Sequence, residues 1–189
     1  RILQPGASIY SPKAIPAVMD RSGNQGREHR VGLPPIVGPR PKALMLGTIP
    51  SVRSAQKGQY YGNPLNHFWR LMSEVCGEGF IDDYQGRCDM LKRHSIAVWD
   101  VLAECDIRGS GDHTITDPVP NDLLTFLNDN DSIGHIFANG RTAFKFYLKF
   151  CDMDHPGNVA VLPSSSPANA MRFADRLQAW MAVREVLRR

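Results

Sequence analysis

No stretch of this chain approaches the ~20 consecutive apolar residues that a membrane-crossing helix needs, which argues against a membrane protein. The chain opens on Arg1 and is not followed by the apolar run of a secretory signal. Cysteine is scarce and unclustered. Cys76, Cys88, Cys105 and Cys151 have 11, 16 and 45 residues between them and form no C-x-x-C pair. That spacing argues against zinc or iron–sulfur sites and for free thiols in a reducing compartment. No two of the six histidines lie four apart, so no helical metal pair is offered, and neither metal nor cofactor is expected. Glycine-rich signatures are missing too: there is no G-x-G-x-x-G after a strand, no G-x-x-x-x-G-K-[ST] and no G-x-S-x-G. Dinucleotide binding, P-loop hydrolysis and serine-hydrolase chemistry lose their usual support. Gly109-Ser110-Gly111 is too short to carry a phosphate claim and reads as a plain turn. There is no internal repeat.

What is present suits one globular core. At 189 residues, 42% apolar and 22% charged, the chain can bury roughly 70% of its unfolded surface. The net charge of +3 is unevenly placed. Residues 1–42 hold seven basic side chains against Asp20 and Glu28, hence +5, with seven of the 14 prolines and five of the 16 glycines. Residues 172–189 hold five arginines against Asp175 and Glu185, hence +3, which leaves −5 for residues 43–171. Residues 1–41 therefore read as an extended basic Pro/Gly-rich segment ahead of a domain spanning 42–189. Two roles suit that segment equally: tracking DNA phosphates without sequence preference, or a solubilising tail.

Apolar periodicity predicts the elements. Ala43–Leu46, Ser95–Leu102, His135–Ala138 and Asn158–Leu162 are short continuous apolar runs of the kind that form buried strands. Thr48 to Gly62 reads as a loop. Asn63-Pro64 reads as N-cap and first turn of a helix carrying Leu65, Phe68, Trp69, Met72 and Cys76 on one face. Further helices are expected at 90–93, 121–128 and 141–150. A last one is capped by Ser166-Pro167, with Phe173, Leu177, Trp180 and Leu187 inward. Strands alternating with helices give an α/β fold: a three-layer α/β/α sandwich around a central, mostly parallel four-stranded sheet. In such sheets functional loops gather beyond the carboxyl ends of the strands. Three strands end there in small and polar residues, at Gly47–Ser51, Asn139-Gly140 and Pro163–Ser166, and are expected to line one cleft. Tyr60-Tyr61 could stack a planar heterocycle there, although adjacent tyrosines also serve as core packing.

Four separated runs now carry a resemblance: GTIPSVRSAQKGQYYGNPLNHFW (47–69), WDVLAECDIRGSGDHTI (99–115), FANG (137–140) and LPSSSPANA (162–170). In this order, at strand ends, they resemble the hypoxanthine-DNA (deoxyinosine) glycosylase branch of the uracil-DNA glycosylase superfamily, over roughly residues 42–189. The resemblance implies a base-binding surface of Gly47, Ile49, Pro50, Tyr60, Tyr61 and Phe68, with Tyr61 as the stacking ring. It implies Asn66 as the catalytic amide and Asn139 as a second functional amide of the pocket. Ser51, Arg53 and Ser54 would meet DNA phosphates. Ser164, Ser165, Ser166, Pro167, Ala168 and Asn169 would form the loop that enters the duplex beside the flipped nucleotide. Ile49 stands where the mismatch-specific uracil branch has a water-positioning Asn, which favours hypoxanthine over uracil.

The chemistry agrees. Breaking an N-glycosidic bond builds positive charge on the sugar and negative charge on the departing base. A neutral amide can hold the water, and a preorganised donor at a developing anion is worth about 3–4 kcal/mol. Placed at the third position of its helix, Asn66 would gain a modest helix-terminus field. Apart from Lys57 no lysine falls within the four motifs, so Schiff-base lyase chemistry lacks its amine and a monofunctional hydrolase leaving an abasic site is expected. The base must first be extruded, at a few kcal/mol. The expected partner is double-stranded DNA carrying a deaminated base, handled by a monomer in the cytoplasm at the nucleoid. Three rivals keep parts of this reading: a mismatch-specific uracil glycosylase, a catalytically silent lesion-binding module, and a hydrolase of free nucleosides.

Overall fold

The computed structural model of the protein describes residues 26–151 and 158–188. Four of its strands are the four apolar runs: β2 (Ala43–Gly47), β3 (Ile96–Asp100), β6 (His135–Asn139) and β7 (Asn158–Leu162). They form one parallel sheet in the order β3-β2-β6-β7. β2, at the centre, is buried throughout, as a strand covered on both faces must be. Alternate residues divide the sheet between two cores. Ala43, Met45, Ile96, Val98, Phe137 and Leu162 face the first, built by α2 (Phe68–Cys76), α3 (Tyr84–Arg93) and α6 (Phe173–Leu187). Leu44, Leu46, Ala97 and Ile136 face the second, built by α4 (Leu123–Asp129) and α5 (Arg141–Phe150). The layers are helix, sheet, helix. The short helix α1 (Val52–Lys57) interrupts the expected loop after β2.

A second sheet was not anticipated. β1 (Glu28–Val31), β4 (Leu102–Ile107) and β5 (Thr116–Pro120) form an antiparallel sheet in the order β1-β4-β5. The run Ser95–Leu102 was expected as one strand and is two. β3 ends at Asp100, Val101 and Leu102 donate to the carbonyls of Gly47 and Thr48, and the chain then continues as β4 in the other sheet. β5 tolerates Pro118 and Pro120 because it is an edge strand.

Order also begins before Lys42. β1 pairs with β4 from Glu28↔Ile107 to Val31↔Glu104, and Ile36 bridges to Val98. Arg30, one of the seven cations of the basic segment, is 3% exposed. Its guanidinium donates to the carbonyls of Pro50 and Gly109 and pairs with Glu28. It is a clamp between sheet and loops, not a free phosphate ligand. Residues 1–25 of that segment lie outside the described residues.

Two helix starts differ from expectation. α2 begins at Phe68 with His67 as N-cap, not at Asn63-Pro64. Asn63 Oδ1 accepts from Leu65 N and Asn66 Oδ1 from Phe68 N, so two asparagine side chains capture backbone groups that a helix would use. Leu65 is consequently outside the helix and 66% exposed. α6 begins at Phe173, after Arg172, because Ser166, Asn169 and their neighbours close local turns between 164 and 171.

Candidate active site

Register places Asp100, Gly47, Asn139 and Leu162 at the carboxyl ends of adjacent strands, on the face of the sheet shared with Met45 and Val98. Gly47 leaves that row open at its centre. A Cβ there would lie 2.1 Å from Asp100 Oδ1 and 3.1 Å from Tyr61 Oη, so only glycine lets the acid and the phenol close over β2. Tyr61 arrives from the loop before α2 with φ 52°, a left-handed conformation that strains a bulky residue. Two interactions hold it. Its ring stacks on Phe68 at 3.7 Å and 14°, and its hydroxyl accepts from Asn139 Nδ2 at 3.0 Å.

Asn139 is fully engaged. Its other amide hydrogen goes to Ser165 Oγ at 2.8 Å, and its Oδ1 accepts from Ser165 N at 2.8 Å. It thus ties Tyr61 to the loop after β7. The turn that frees this geometry is at Gly140, with φ 98° and no room for a Cβ beside Ser164. Ser165, completely buried, also accepts from His67 N through its carbonyl, which brings the Asn63–His67 turn against the same loop. Asn66 therefore sits beside the Asn139–Ser165 clamp. One lone pair of its Oδ1 is used by Phe68 N, and its NH2 has no partner among the described residues. The helix-terminus field expected for Asn66 does not apply in the form foreseen, because Asn66 precedes the N-cap.

The remaining sequence candidates divide. Tyr60 and Phe68 are core residues. Tyr60 Oη donates to Leu33 O, its carbonyl accepts from Trp69 Nε1, and Phe68 is enclosed by Tyr61, Trp69 and Trp180. Pro50 is buried and Ile49 packs against the second core. Ser54 is buried, accepts from Gly62 N and shares a hydrogen bond with Ser51, the N-cap of α1. Both hydroxyls accept from backbone N–H groups and their shared bond uses one of the two hydroxyl hydrogens, while Arg53 is exposed beside them. Ser164 and Ser166 bond backbone groups of their own loop, and Pro167 and Ala168 stand exposed at its tip.

Residues not picked out in the sequence complete the site. Arg176, completely buried on α6, donates to the carbonyls of Asn169 and Met171 and bonds His67 Nδ1, pinning the exposed loop to the turn that carries Asn66. Burial and the neighbouring Arg176 and Arg70 lower the His67 pKa, which keeps the ring a neutral acceptor. Asp112, in the loop after β4, accepts from Thr48 Oγ1 at 3.3 Å, and burial raises its pKa. Asp100 lies within the run Ser95–Leu102 and carried no signal of its own in the sequence. Burial, with Asp112 nearby, pushes it up to about 8. Burial likewise raises Tyr61, so its phenol stays protonated. Among the described residues no group of three His, Cys, Asp or Glu is placed to hold a metal, and all four cysteines are free thiols. Two cavities of about 390 and 240 Å³ lie elsewhere, one along α2 and α6 and one lined by Leu33–Val37, Tyr60 and Tyr84.

Comparison with known proteins adds an independent line. The family model of the uracil DNA glycosylase superfamily matches residues 34–187. A hypoxanthine DNA glycosylase of Methanosarcina acetivorans is 36% identical over 153 residues, 80% of this chain and 96% of that protein. The hypoxanthine DNA glycosylase of Methanosarcina barkeri is 31% identical over 150 residues, 79% of this chain and 94% of that protein. A solution NMR structure of a Methanosarcina acetivorans protein assigned to the uracil DNA glycosylases superposes with a TM-score of 0.75 at 34% identity, covering 85% of this chain and 99% of that one.

Proposed function

The chain belongs to the uracil-DNA glycosylase superfamily, and from that premise we propose that it is a monofunctional DNA glycosylase that removes deaminated bases, hypoxanthine foremost. The observation that carries this reading is the strand-end cluster itself. Asn139, Tyr61, Ser165 and the Asn66 turn are tied together by hydrogen bonds on the face where the superfamily's motifs converge.

The geometry supports a role for each residue. The flipped base stacks on the outer face of Tyr61, whose inner face is already on Phe68. Asn66 holds the attacking water with the amide hydrogens and lone pair that its turn leaves over. Asn139 acts as the positioning amide, since its hydrogens are both spent on Tyr61 and Ser165. The exposed tip Pro167-Ala168, braced through Asn169 by Arg176, enters the duplex in place of the extruded nucleotide. Arg53 meets the backbone. Ile49 has no amide for a water, which supports hypoxanthine over uracil. The protein works as a monomer on double-stranded DNA, in the cytoplasm at the nucleoid; no described helix is long and apolar enough to cross a membrane.

The test is Asn66→Ala on a duplex with one deoxyinosine. Its single-turnover release of hypoxanthine is expected to fall at least about 100-fold, the scale of losing one preorganised group, while affinity for the duplex stays within about threefold. A variant that releases base at the wild-type rate refutes the assignment.

A further inference from the structure

Asp100 closes β3 in the same row as Gly47 and Asn139 and is 3% exposed. Its Oδ2 has no hydrogen-bond partner among the described residues, where a buried polar atom normally has one. The missing Cβ of Gly47 is what admits the carboxyl, with Tyr61 Oη over the same strand end. The ionisable group acting on it is the Asp112 carboxyl from the loop after β4, and Asp100 in turn raises the phenols of Tyr60 and Tyr61 from the loop before α2. Burial and Asp112 hold it protonated at neutral pH, up to about 8. The resting protein thus contains a buried carboxylic acid at the strand end it shares with Tyr61 Oη, with one oxygen unmatched.

We propose that Asp100 is a catalytic residue: its carboxyl hydrogen passes to N7 of the flipped purine as the C1′–N9 bond breaks. This rests on the glycosylase reading above. The electron pair of the broken bond stays with the base, which departs neutral with the new hydrogen on N7. The water beside Asn66 adds through oxygen to C1′ and loses one proton, which restores the Asp100 acid by way of solvent. One water is consumed, hypoxanthine and an abasic sugar are formed, and the protein is unchanged. Without that proton the purine must leave as an anion, a poorer leaving group. A general acid works best with its pKa near the working pH, and an apolar surround that keeps a carboxyl neutral is a direct way to achieve it. On this proposal a base lying on Tyr61 brings its edge to the hydroxyl end of that ring, and Asp100 Oδ1 lies at the same Gly47 strand end.

Two experiments on the full chain test this. In the first, single-turnover release from a deoxyinosine duplex is followed from pH 6 to 9.5. The wild-type rate is expected to be level below about pH 7 and to fall through about pH 8. Asp100→Asn should be slower by about 100-fold or more at pH 7, lack that alkaline fall and still bind the duplex. In the second, which does not depend on the variant folding, wild-type protein is given a duplex carrying 7-deaza-deoxyinosine, whose N7 is replaced by C–H. It should bind and not be cleaved. Release of the 7-deaza base at a rate near that of hypoxanthine, or an Asp100→Asn variant with the wild-type rate or pH profile, overturns the proposal. Absence of hypoxanthine release by the wild type at every pH overturns the glycosylase reading itself, a different and distinguishable result.

Discussion

Each polar side chain at the strand ends is committed to a partner or conspicuously lacks one, and that difference separates support from chemistry. Asn139 belongs to the first kind. Asn139→Ala leaves Ser165 N, in a completely buried residue, without its acceptor and Tyr61 Oη without its donor. Thermal unfolding should show a loss of about 1–3 kcal/mol together with slower base release. Unchanged stability would contradict the clamp. Asp100 belongs to the second kind, and its cost can be read from pH. The unfolded chain ionises it at its ordinary value of 3.8, while the native state keeps the proton up to about 8. Between roughly pH 4 and 8 the native state binds one more proton than the unfolded one, so Asp100 costs increasing stability as pH rises, and the cost is complete above about 8. Melting curves of Asp100→Asn and wild type should therefore diverge in favour of the variant across that interval; a constant difference contradicts a buried neutral acid. At this scale the motifs that carry the family resemblance pointed to Asn66, Asn139, Tyr61 and Gly47, where residue type alone left each of them open. Asp100, His67 and Arg176 were not singled out, because their importance lies in burial and in partners as distant in sequence as the 109 positions between His67 and Arg176.

Among the elements, the four parallel strands and α5 were legible because continuous apolar runs leave no other fate for their residues. The antiparallel sheet was not. β1 and β5 are short, rich in polar residues or proline, and are strands only because β4 presents its edges to them. The start of α2 was misplaced for a local reason, the two asparagine turns that compete with helix. β1 offers the sharpest check. Removing residues 1–25 takes away none of the described elements and serves as the reference. Removing residues 1–41 deletes β1, the Arg30 clamp and the Ile36 bridge, and uncovers one edge of β4. That truncation should unfold at least about 8 °C lower, of the order expected for losing a few kcal/mol in a domain this size. Equal melting temperatures for the two would show β1 to be dispensable.

For the molecule as a whole, net charge explains little. The body from 43 to 171 is acidic, Arg30 and Arg176 are spent inside, and the strand-end cluster holds hydroxyls, amides, the buried Asp100 and the half-buried Asp112, with no exposed cation among the described residues. On the proposed reading DNA recognition rests on local groups such as Arg53 and on the braced tip at Pro167-Ala168. The same 1–25 truncation should flatten the salt dependence of non-specific binding, because it removes Arg1, Lys13 and Arg21, while base release persists. Fold and family support a DNA repair glycosylase acting on deaminated bases, and the proposed substrate is a deaminated purine. The direct measurement is release of free hypoxanthine by the full-length wild-type protein from a duplex with a single deoxyinosine, with matched duplexes carrying uracil, xanthine and a thymine mismatch beside it. The account predicts stoichiometric hypoxanthine and alkali-labile abasic sites, fastest on deoxyinosine; tight binding with no base released from any of the four duplexes would contradict it.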